Sequence, residues 1–339
     1  MKKVFIIAEA GINHNGKLYN AKKLIDIAKK AGADAVKFQT WITDEIIRKD
    51  TAKVNYQKKS LNDNETQYQM LKKYELRFDQ FNTLIKYCKK KKIIFLTTAF
   101  DLKSLEFVKN KINIIKIPSG ENNNYPLLKR IGQLNKNTFL STGMSSIKDI
   151  AYALKILIKH GLQKKKITIM QCTTAYPTEL HDVNLLALND IKKNFPNYNL
   201  GFSDHTSSYE VAIAAVGIGA TVIEKHITIN KNMKGPDHSS SLNFDQFTEF
   251  VKKIRNVEVA LGFTFKKILS IEKKTSVLVR KSIVASKNIT KGEFFTDTNI
   301  TTKRPADGLK PEYWPLLLKN KKSKFAYKKN ERIKKKEIL

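Results

Sequence analysis

Residues 200–226 read LGFSDHTSSYEVAIAAVGIGATVIEKH, and the reading of the fold starts there. Two short runs, 200–202 and 221–223, are rich in β-branched or aromatic residues and bounded by polar ones, which predicts strands. Between them, 209–219 carries a helical pattern. The two strands end alike, in Ser203-Asp204-His205 and Glu224-Lys225-His226. Strand, helix, strand is the β-α-β unit, so the two polar ends fall on one side.

The same alternation continues outward. Further strands are predicted at 4–8, 35–38, 94–97, 114–117, 138–141 and 167–171. A helix over 19–31 has Ala21, Leu24, Ile25 and Ala28 at helical spacing. A second over 147–160 aligns Ile150, Leu154, Leu157 and Ile158, with Gly161 at its stop. A third covers 244–261. Roughly eight β-then-α units in about 250 residues predict an α/β chain closed into a (β/α)8 TIM barrel over 1–262. A doubly wound open sheet is the alternative, but no glycine-rich phosphate loop follows the first strand. Residues 44–69 are polar and poorly periodic and read as an extended loop after the second strand. In a barrel such loops lie over the active end. The pattern changes after Gly262. Residues 263–280 read as a linker with some helical content. Residues 281–339 read as a small β-rich domain, with turns at Thr290-Lys291-Gly292-Glu293 and at Arg304-Pro305. A domain of that size is marginal alone and is expected to pack on something.

Composition narrows the function classes. The 339 residues are 41% hydrophobic, enough for a sizeable core. The chain opens Met1-Lys2-Lys3, but the apolar run 4–8 is too short for a signal peptide. No run approaches the ~20 apolar residues of a membrane span. Two cysteines, Cys88 and Cys172, give no disulfide framework, so a reducing, cytoplasmic setting is expected. Lys+Arg is 63 against 31 Asp+Glu, a net charge of +32. The excess is nearly all lysine, spread along the chain without arginine clusters or interleaved aromatics. That pattern argues against a nucleic-acid binder and for an attractive field toward anionic substrates.

In a (β/α)8 barrel the chemistry sits at the C-terminal ends of the strands. The predicted ends carry Glu9, Lys37 and Gln39, Lys116 with Ser119 and Glu121, Ser141, Cys172 with Tyr176 beyond it, Ser203 and His205, and Glu224 and His226. Lysines and small hydroxyls suit a phosphate. Taken singly, each serine also reads as a turn residue and each lysine as a solvent-seeking one; gathered on one rim, they point to a site. His205 and His226 stand at equivalent positions on adjacent strands. They are read either as structural or as a pair converging on a divalent ion. Two neutral nitrogens with substrate oxygens and waters suit manganese or a similar first-row ion better than calcium. Glu9, Glu121, Glu224, Gln39 and Asp237 remain for proton transfer or for substrate hydroxyls.

These motifs, in this order, resemble the sialic acid synthase family. They are Glu9-Ala10-Gly11-Ile12-Asn13-His14-Asn15-Gly16, Lys37-Phe38-Gln39-Thr40, Lys116-Ile117-Pro118-Ser119-Gly120-Glu121, Ser141-Thr142-Gly143-Met144, Gly201-Phe202-Ser203-Asp204-His205-Thr206, Glu224-Lys225-His226 and Gly235-Pro236-Asp237. The C-terminal segment, with Arg280-Lys281-Ser282 and Lys303-Arg304-Pro305, resembles the antifreeze-like SAF domain of those enzymes. The resemblance implies condensation of phosphoenolpyruvate with an N-acetylated mannosamine-type sugar to a nonulosonic acid. It implies Glu9, Glu224 and His226 as catalytic residues and His205 and His226 as ligands of a divalent metal, manganese with magnesium or cobalt as alternatives. Lys37, Lys116, Ser119, Ser141 and Ser203 would hold phosphoenolpyruvate; Gln39, Glu121, Tyr176, Asp237 and Arg304 would meet the sugar. It further implies a domain-swapped homodimer, with Arg304 coming from the partner. Two positions depart from the pattern: Ala175 stands where some members have an asparagine, and Ala99 where a proline is common. The stretch 222–242 is closer to synthases of N,N'-diacetyllegionaminate, which puts the 2,4-diacetamido-2,4,6-trideoxy sugar beside N-acetylmannosamine as acceptor. The alternatives are pseudaminic acid synthesis, a pyruvate aldolase using Lys116 or Lys225 as a Schiff base, and a non-catalytic carbohydrate-binding protein.

Overall fold

Strands and helices alternate along the first 262 residues of the computed structural model, which describes residues 3–54, 57 and 65–338. In chain order they are β1 (Phe5–Gly11), α1 (Leu18–Lys30), β2 (Ala35–Thr40), α2 (Thr43–Ile46), α3 (Gln67–Tyr74), α4 (Phe78–Lys91), β3 (Ile94–Ala99), α5 (Leu102–Val108) and β4 (Ile114–Ile117). There follow α6 (Tyr125–Leu134), β5 (Asn137–Ser141), α7 (Ile147–Lys159), β6 (Ile167–Gln171), α8 (Ala187–Asn194), β7 (Asn199–Asp204), α9 (Glu210–Ile218), β8 (Val222–His226) and α10 (Phe244–Leu261). Each strand runs parallel to the next and β8 closes on β1, so the sheet is a barrel and not an open doubly wound sheet.

Closure follows from which faces are apolar. The outer strand faces and the helices bury one another. The helices contribute Leu24, Ile25, Phe81, Leu84, Leu154, Leu157, Phe247 and Phe250, all essentially inaccessible. Losing one of these large side chains to alanine costs about 3–5 kcal/mol. A separate, smaller cluster of Ile7, Ala35, Leu96, Phe139, Met170 and Val222, with Phe5 and Ile114, fills the barrel interior. Gly201 completes that layer because no side chain fits: a Cβ there would lie 2.8 Å from Met170 Cγ and 3.0 Å from the Val222 carbonyl.

Two expectations are corrected. The segment 44–69 is not a plain loop. It contains most of α2, whose first turn carries Asp44 and Glu45 where the helix dipole favours anions. It also reaches into α3, whose start is fixed by a Thr66–Gln69 capping box that periodicity alone misses. Residues 55, 56 and 58–64 of that expected loop lie outside the described residues, as do 1, 2 and 339. The strands also run further than expected. Ser203 and Asp204 belong to β7, and Glu224, Lys225 and His226 to β8, because pairing of Ser203 with Glu224 and of Glu9 with His226 extends the ladder through polar residues.

The chain divides into two compact units, Met1–Gly262 and Phe263–Leu339. The second holds α11 (Ser270–Val279), the antiparallel pair β9 (Ser282–Ala285) and β10 (Ile300–Lys303), and α12 (Trp314–Leu318). It has its own core of Ile283, Ile289, Phe295, Ile300, Leu309, Leu317, Tyr327 and Ile333. The helical content expected in 263–280 is α11. Among the described residues no helix is long and apolar enough to cross a membrane.

Candidate functional site

The interior changes character at one level of the barrel. Alternate residues of a strand share a face. Two residues beyond each apolar or glycine interior position, every one of the eight strands places a polar side chain. Ile7 is followed by Glu9, Ala35 by Lys37, Leu96 by Thr98 and Ile114 by Lys116. Phe139 is followed by Ser141, Met170 by Cys172, Gly201 by Ser203 and Val222 by Glu224. All eight polar residues line one cavity of about 70 Å3 together with Gln39, Ser119, Tyr176, His205 and His226. Apolar packing below and a ring of polar groups above make this the chemical end of the barrel.

Four buried charges alternate in sign at its centre. Lys37 Nζ lies 2.8 Å from Glu9 Oε2 and 3.6 Å from Glu224 Oε1. Lys116 Nζ donates to both Glu224 oxygens, at 2.9 and 3.1 Å. Ser203 Oγ donates to Glu224 Oε1 at 3.1 Å, and Gln39 Nε2 to Glu9 Oε1 at 3.1 Å. The two carboxyls are thereby made unlike. Burial raises both, but Lys116 and Lys37 outweigh it at Glu224 and hold that group below the ordinary range. At Glu9 burial wins over Lys37, and the nearby Glu224 charge raises it further. Glu224 is the more firmly ionised carboxyl, and Glu9 is the weaker acid of the two. The lysines read from sequence as phosphate-binding cations are thus already paired with these acids. Ser141 Oγ is buried without a hydrogen-bond partner, and Ser119 Oγ accepts the Gly143 N–H at 2.9 Å beside Cys172 Sγ. An unpaired buried hydroxyl next to two ammonium groups suits an incoming anion.

The two histidines converge. Their ring centroids are 5.5 Å apart, and the Tyr176 ring lies 4.2 Å from that of His205 and 5.7 Å from that of His226. Burial lowers both: His205 to about 4, although its hydrogen bond to the Thr173 carbonyl opposes this, and His226 well below its usual value, helped by His205. Both are therefore neutral imidazoles at neutral pH. His205 uses Nδ1 on the Thr173 carbonyl at 2.7 Å, which leaves Nε2 its lone pair. His226 Nδ1 is buried with no hydrogen-bond partner, 3.9 Å from Asp237 Oδ2. Two neutral imidazoles and an orphaned nitrogen fit a divalent ion. No group of three or more His, Cys, Asp or Glu residues able to hold one occurs among the described residues. The rest of the shell would come from water and substrate oxygens.

Asp237 is buried and pushed up to about 7, first by desolvation and then by the Glu9 charge. It lines a second cavity of about 280 Å3 that shares Gln39, Ser119, Tyr176 and His226 with the first. Glu121 stands apart: it lines neither cavity and accepts a hydrogen bond from Asn124 at 2.6 Å. Arg304 lies in the C-terminal unit just after β10, exposed. His14 and His238 do not line the cavities either. His238 bridges Thr228 Oγ1 (2.7 Å) and Asn15 Oδ1 (3.0 Å), tying the segment that carries Asp237 to the turn after β1.

Sequence reasoning missed Thr98 as a cavity residue and placed Cys172 at the rim without giving it a role, although counting alternate positions from the interior apolar residues finds both. It also left Lys225 open as a Schiff-base amine. Lys225 points out of the barrel, wholly buried, and donates to Asp204 Oδ2 at 2.7 Å and to the carbonyls of Thr206 and Ser208 at 2.5 and 3.1 Å. It lines neither cavity.

The chain is similar to known proteins along nearly its whole length. The NeuB family model matches residues 24–266, and the SAF domain model matches 280–321. The N,N'-diacetyllegionaminic acid synthase of Campylobacter jejuni is 46% identical over 91% of this chain and 92% of its own. The N-acetylneuraminate-9-phosphate synthase of Homo sapiens is 34% identical over 88% of this chain and 82% of its own. A crystal structure of the Bacillus subtilis spore coat polysaccharide biosynthesis protein SpsE superposes with a TM-score of 0.66 at 34% identity, covering 99% and 95% of the two chains.

Proposed function

The chain belongs to the NeuB family, and from that premise we propose that it condenses phosphoenolpyruvate with an open-chain, N-acetylated amino sugar, releasing phosphate and a nonulosonic acid. The observation that carries the reading is the paired-charge rim: two lysines, an unpaired Ser141 hydroxyl, two unlike carboxyls and two neutral imidazoles around one cavity. Lys37, Lys116, Ser119, Ser141 and Ser203 would bind the phosphate and carboxylate of phosphoenolpyruvate. Gln39, Tyr176 and Asp237, with Arg304 from the exchanged SAF domain of the partner subunit, would orient the sugar. His205 and His226 would hold a divalent ion, manganese before magnesium or cobalt, which supplies Lewis-acid polarisation of a carbonyl.

The protein's own groups account for the rest. The methylene carbon of phosphoenolpyruvate forms the new bond to the aldehyde carbon, and the aldehyde oxygen takes a proton. Positive charge develops at the enol carbon, where an ionised Glu9 stabilises it. Glu224, held ionised by Lys116 and Lys37, keeps both ammonium groups in place for the anionic substrate. Water adds to the charged carbon and gives up a proton, which balances the one taken by the aldehyde oxygen; the resulting hemiketal phosphate loses phosphate by carbon–oxygen cleavage and leaves the ketone. The proposal also carries a cytoplasmic setting and a homodimer with exchanged SAF domains.

The test is phosphate release from phosphoenolpyruvate with manganese, comparing no sugar, N-acetylmannosamine and the 2,4-diacetamido-2,4,6-trideoxy sugar. Sugar-dependent release that stops with chelator is expected. Absence of release from folded, metal-loaded protein with every acceptor would sink the reading. Borohydride in the presence of pyruvate should fix no adduct, because Lys225 is consumed outside the cavity and Lys116 is ion-paired.

A further inference from the structure

We propose that Cys172 is a positioning residue for phosphoenolpyruvate: its sulfur holds the Ser119 hydroxyl in place while leaving that proton free for an oxygen of the incoming anion. The inference rests on the condensation reading and deepens it. Cys172 takes the β6 place in the ring of eight polar positions around the first cavity. The other seven are carboxylates, amines or hydroxyls; this one is a buried thiol, 5% exposed. Three segments meet at its sulfur. The Gly143 N–H, just after β5, points between two acceptors, Ser119 Oγ at 2.9 Å and Cys172 Sγ at 3.2 Å. Ser119 Oγ, in the turn after β4, lies 3.2 Å from Cys172 Sγ, so the three contacts close a triangle. The triangle forms because residue 143 has no side chain. A Cβ there would collide with Thr174 Oγ1 and lie 2.9 Å from Ser119 Oγ and 3.1 Å from Cys172 Sγ.

What the triangle leaves over is one proton. A serine hydroxyl has one O–H and two lone pairs. The Gly143 N–H takes a lone pair of Ser119, and Cys172 Sγ stands where the O–H can point. A thiol is a weak acceptor and a weak donor. The hydroxyl is therefore fixed in place by the amide and only lightly engaged by the sulfur, and a phosphate or carboxylate oxygen is the stronger acceptor. Ser203 shows the contrast. Its Oγ donates to Glu224 Oε1 at 3.1 Å, a bond to an ionised group that a ligand must break before it can use that proton. Ser141 Oγ, buried in the same cavity without a partner among the described residues, marks where an anion is to be received. An oxygen at position 172 would compete with the ligand for the Ser119 proton. A methyl there would leave the Ser119 and Gly143 groups without their third contact. Sulfur avoids both.

The experiment combines calorimetric binding of phosphoenolpyruvate with steady-state kinetics on the full chain with manganese. It compares wild type, Cys172→Ser, Cys172→Ala, Ser119→Ala and the double variant Cys172→Ala with Ser119→Ala. Each Cys172 variant should weaken phosphoenolpyruvate binding about tenfold or more, the scale of one hydrogen bond to a charged group. Its KM should rise in step, with kcat and the sugar KM little changed, as expected for lost ground-state binding. In the Ser119→Ala background, Cys172→Ala should add nothing, because the two groups act as one unit. Losses that multiply instead overturn the positioning role, as does wild-type affinity in both Cys172 variants. Thiol labelling supplies a measurement on the unsubstituted chain. Methyl methanethiosulfonate should modify Cys172, phosphoenolpyruvate should slow that modification, and Cys88 in α4, 1% exposed, should stay unmodified. Labelling of Cys172 that phosphoenolpyruvate does not slow overturns the role. The two readings fail separately. Equal binding of phosphoenolpyruvate by wild type and Cys172 variants, with sugar-dependent phosphate release intact, removes the positioning role alone. Coupling of Cys172 to Ser119 in phosphoenolpyruvate binding, with no phosphate release from any acceptor, supports the positioning role and overturns the condensation.

Discussion

Lys116 and Lys225 are both buried amines beside a carboxylate in the same barrel, yet their surroundings differ in every other respect. Lys116 faces inward, over a cavity, and shares Glu224 with Lys37 and Ser203. Lys225 faces outward, has no exposed surface, and is closed off by Asp204 and two loop carbonyls. The inward pair borders a cavity; the outward pair does not. It fastens the segment after β7 to β8 directly behind His205 and His226, because Asp204 and Lys225 are cross-strand neighbours. A buried ion pair is thus a binding device where a cavity adjoins it and a strut where none does.

The sharpest way to break this comparison is at the imidazoles that the strut flanks. His226→Ala should remove turnover that responds to chelation and metal add-back, a loss of about 1,000-fold or more, consistent with the several kcal/mol a Lewis acid supplies. Near-wild-type activity after add-back would discard the metal reading. Next, Lys116→Met should cost about 100- to 1,000-fold in kcat/KM, on the scale of a lost charged contact to the transition state. Its melting temperature should shift little, since water and Lys37 still serve Glu224. Lys225→Met should do the reverse, destabilising the fold by about 3–5 kcal/mol through an unpaired buried carboxylate. Chemical denaturation would show it, and Asp204→Leu in the same chain should restore part of the loss. If the two lysine variants melt alike, the distinction between device and strut fails.

Asp237 gives the smallest effect and tests burial without pairing. Its folded pKa, about 7, lies above the ordinary aspartate value, so the protonated form is the one the fold favours. The cost of burying the carboxylate is absent below about pH 4, grows as pH rises, and is complete above pH 7. Asp237→Asn should therefore stabilise the protein by about 1–3 kcal/mol at pH 8 and by almost nothing at pH 4. A stabilisation that is flat with pH would show that Asp237 is solvated or paired in solution.

Much of this was legible in the chain. The eightfold alternation of strand and helix, and the polar residues closing each strand, follow from local rules: period 2, period 3.6, and turn chemistry. Those rules led to the barrel, to Glu9, Lys37, Lys116, Ser141 and Ser203 on one rim, and to His205 beside His226. They did not reach the start of α3, which a side-chain cap specifies and hydrophobic periodicity does not. They also failed at Glu121, whose short turn carries it away from both cavities.

What the sequence by itself determined is the order of elements and the residues at each strand end, because those depend on neighbours a few positions away. Which lysine faces the cavity and which is a strut was decided only by closure of the barrel. That closure brings Lys116 to a carboxylate 108 residues distant and leaves Lys225 to face Asp204 across the β7–β8 ladder. The second cavity is likewise a tertiary object. Its wall residues come from separate segments whose local patterns all read as ordinary core or loop, and only their packing brings them around one space.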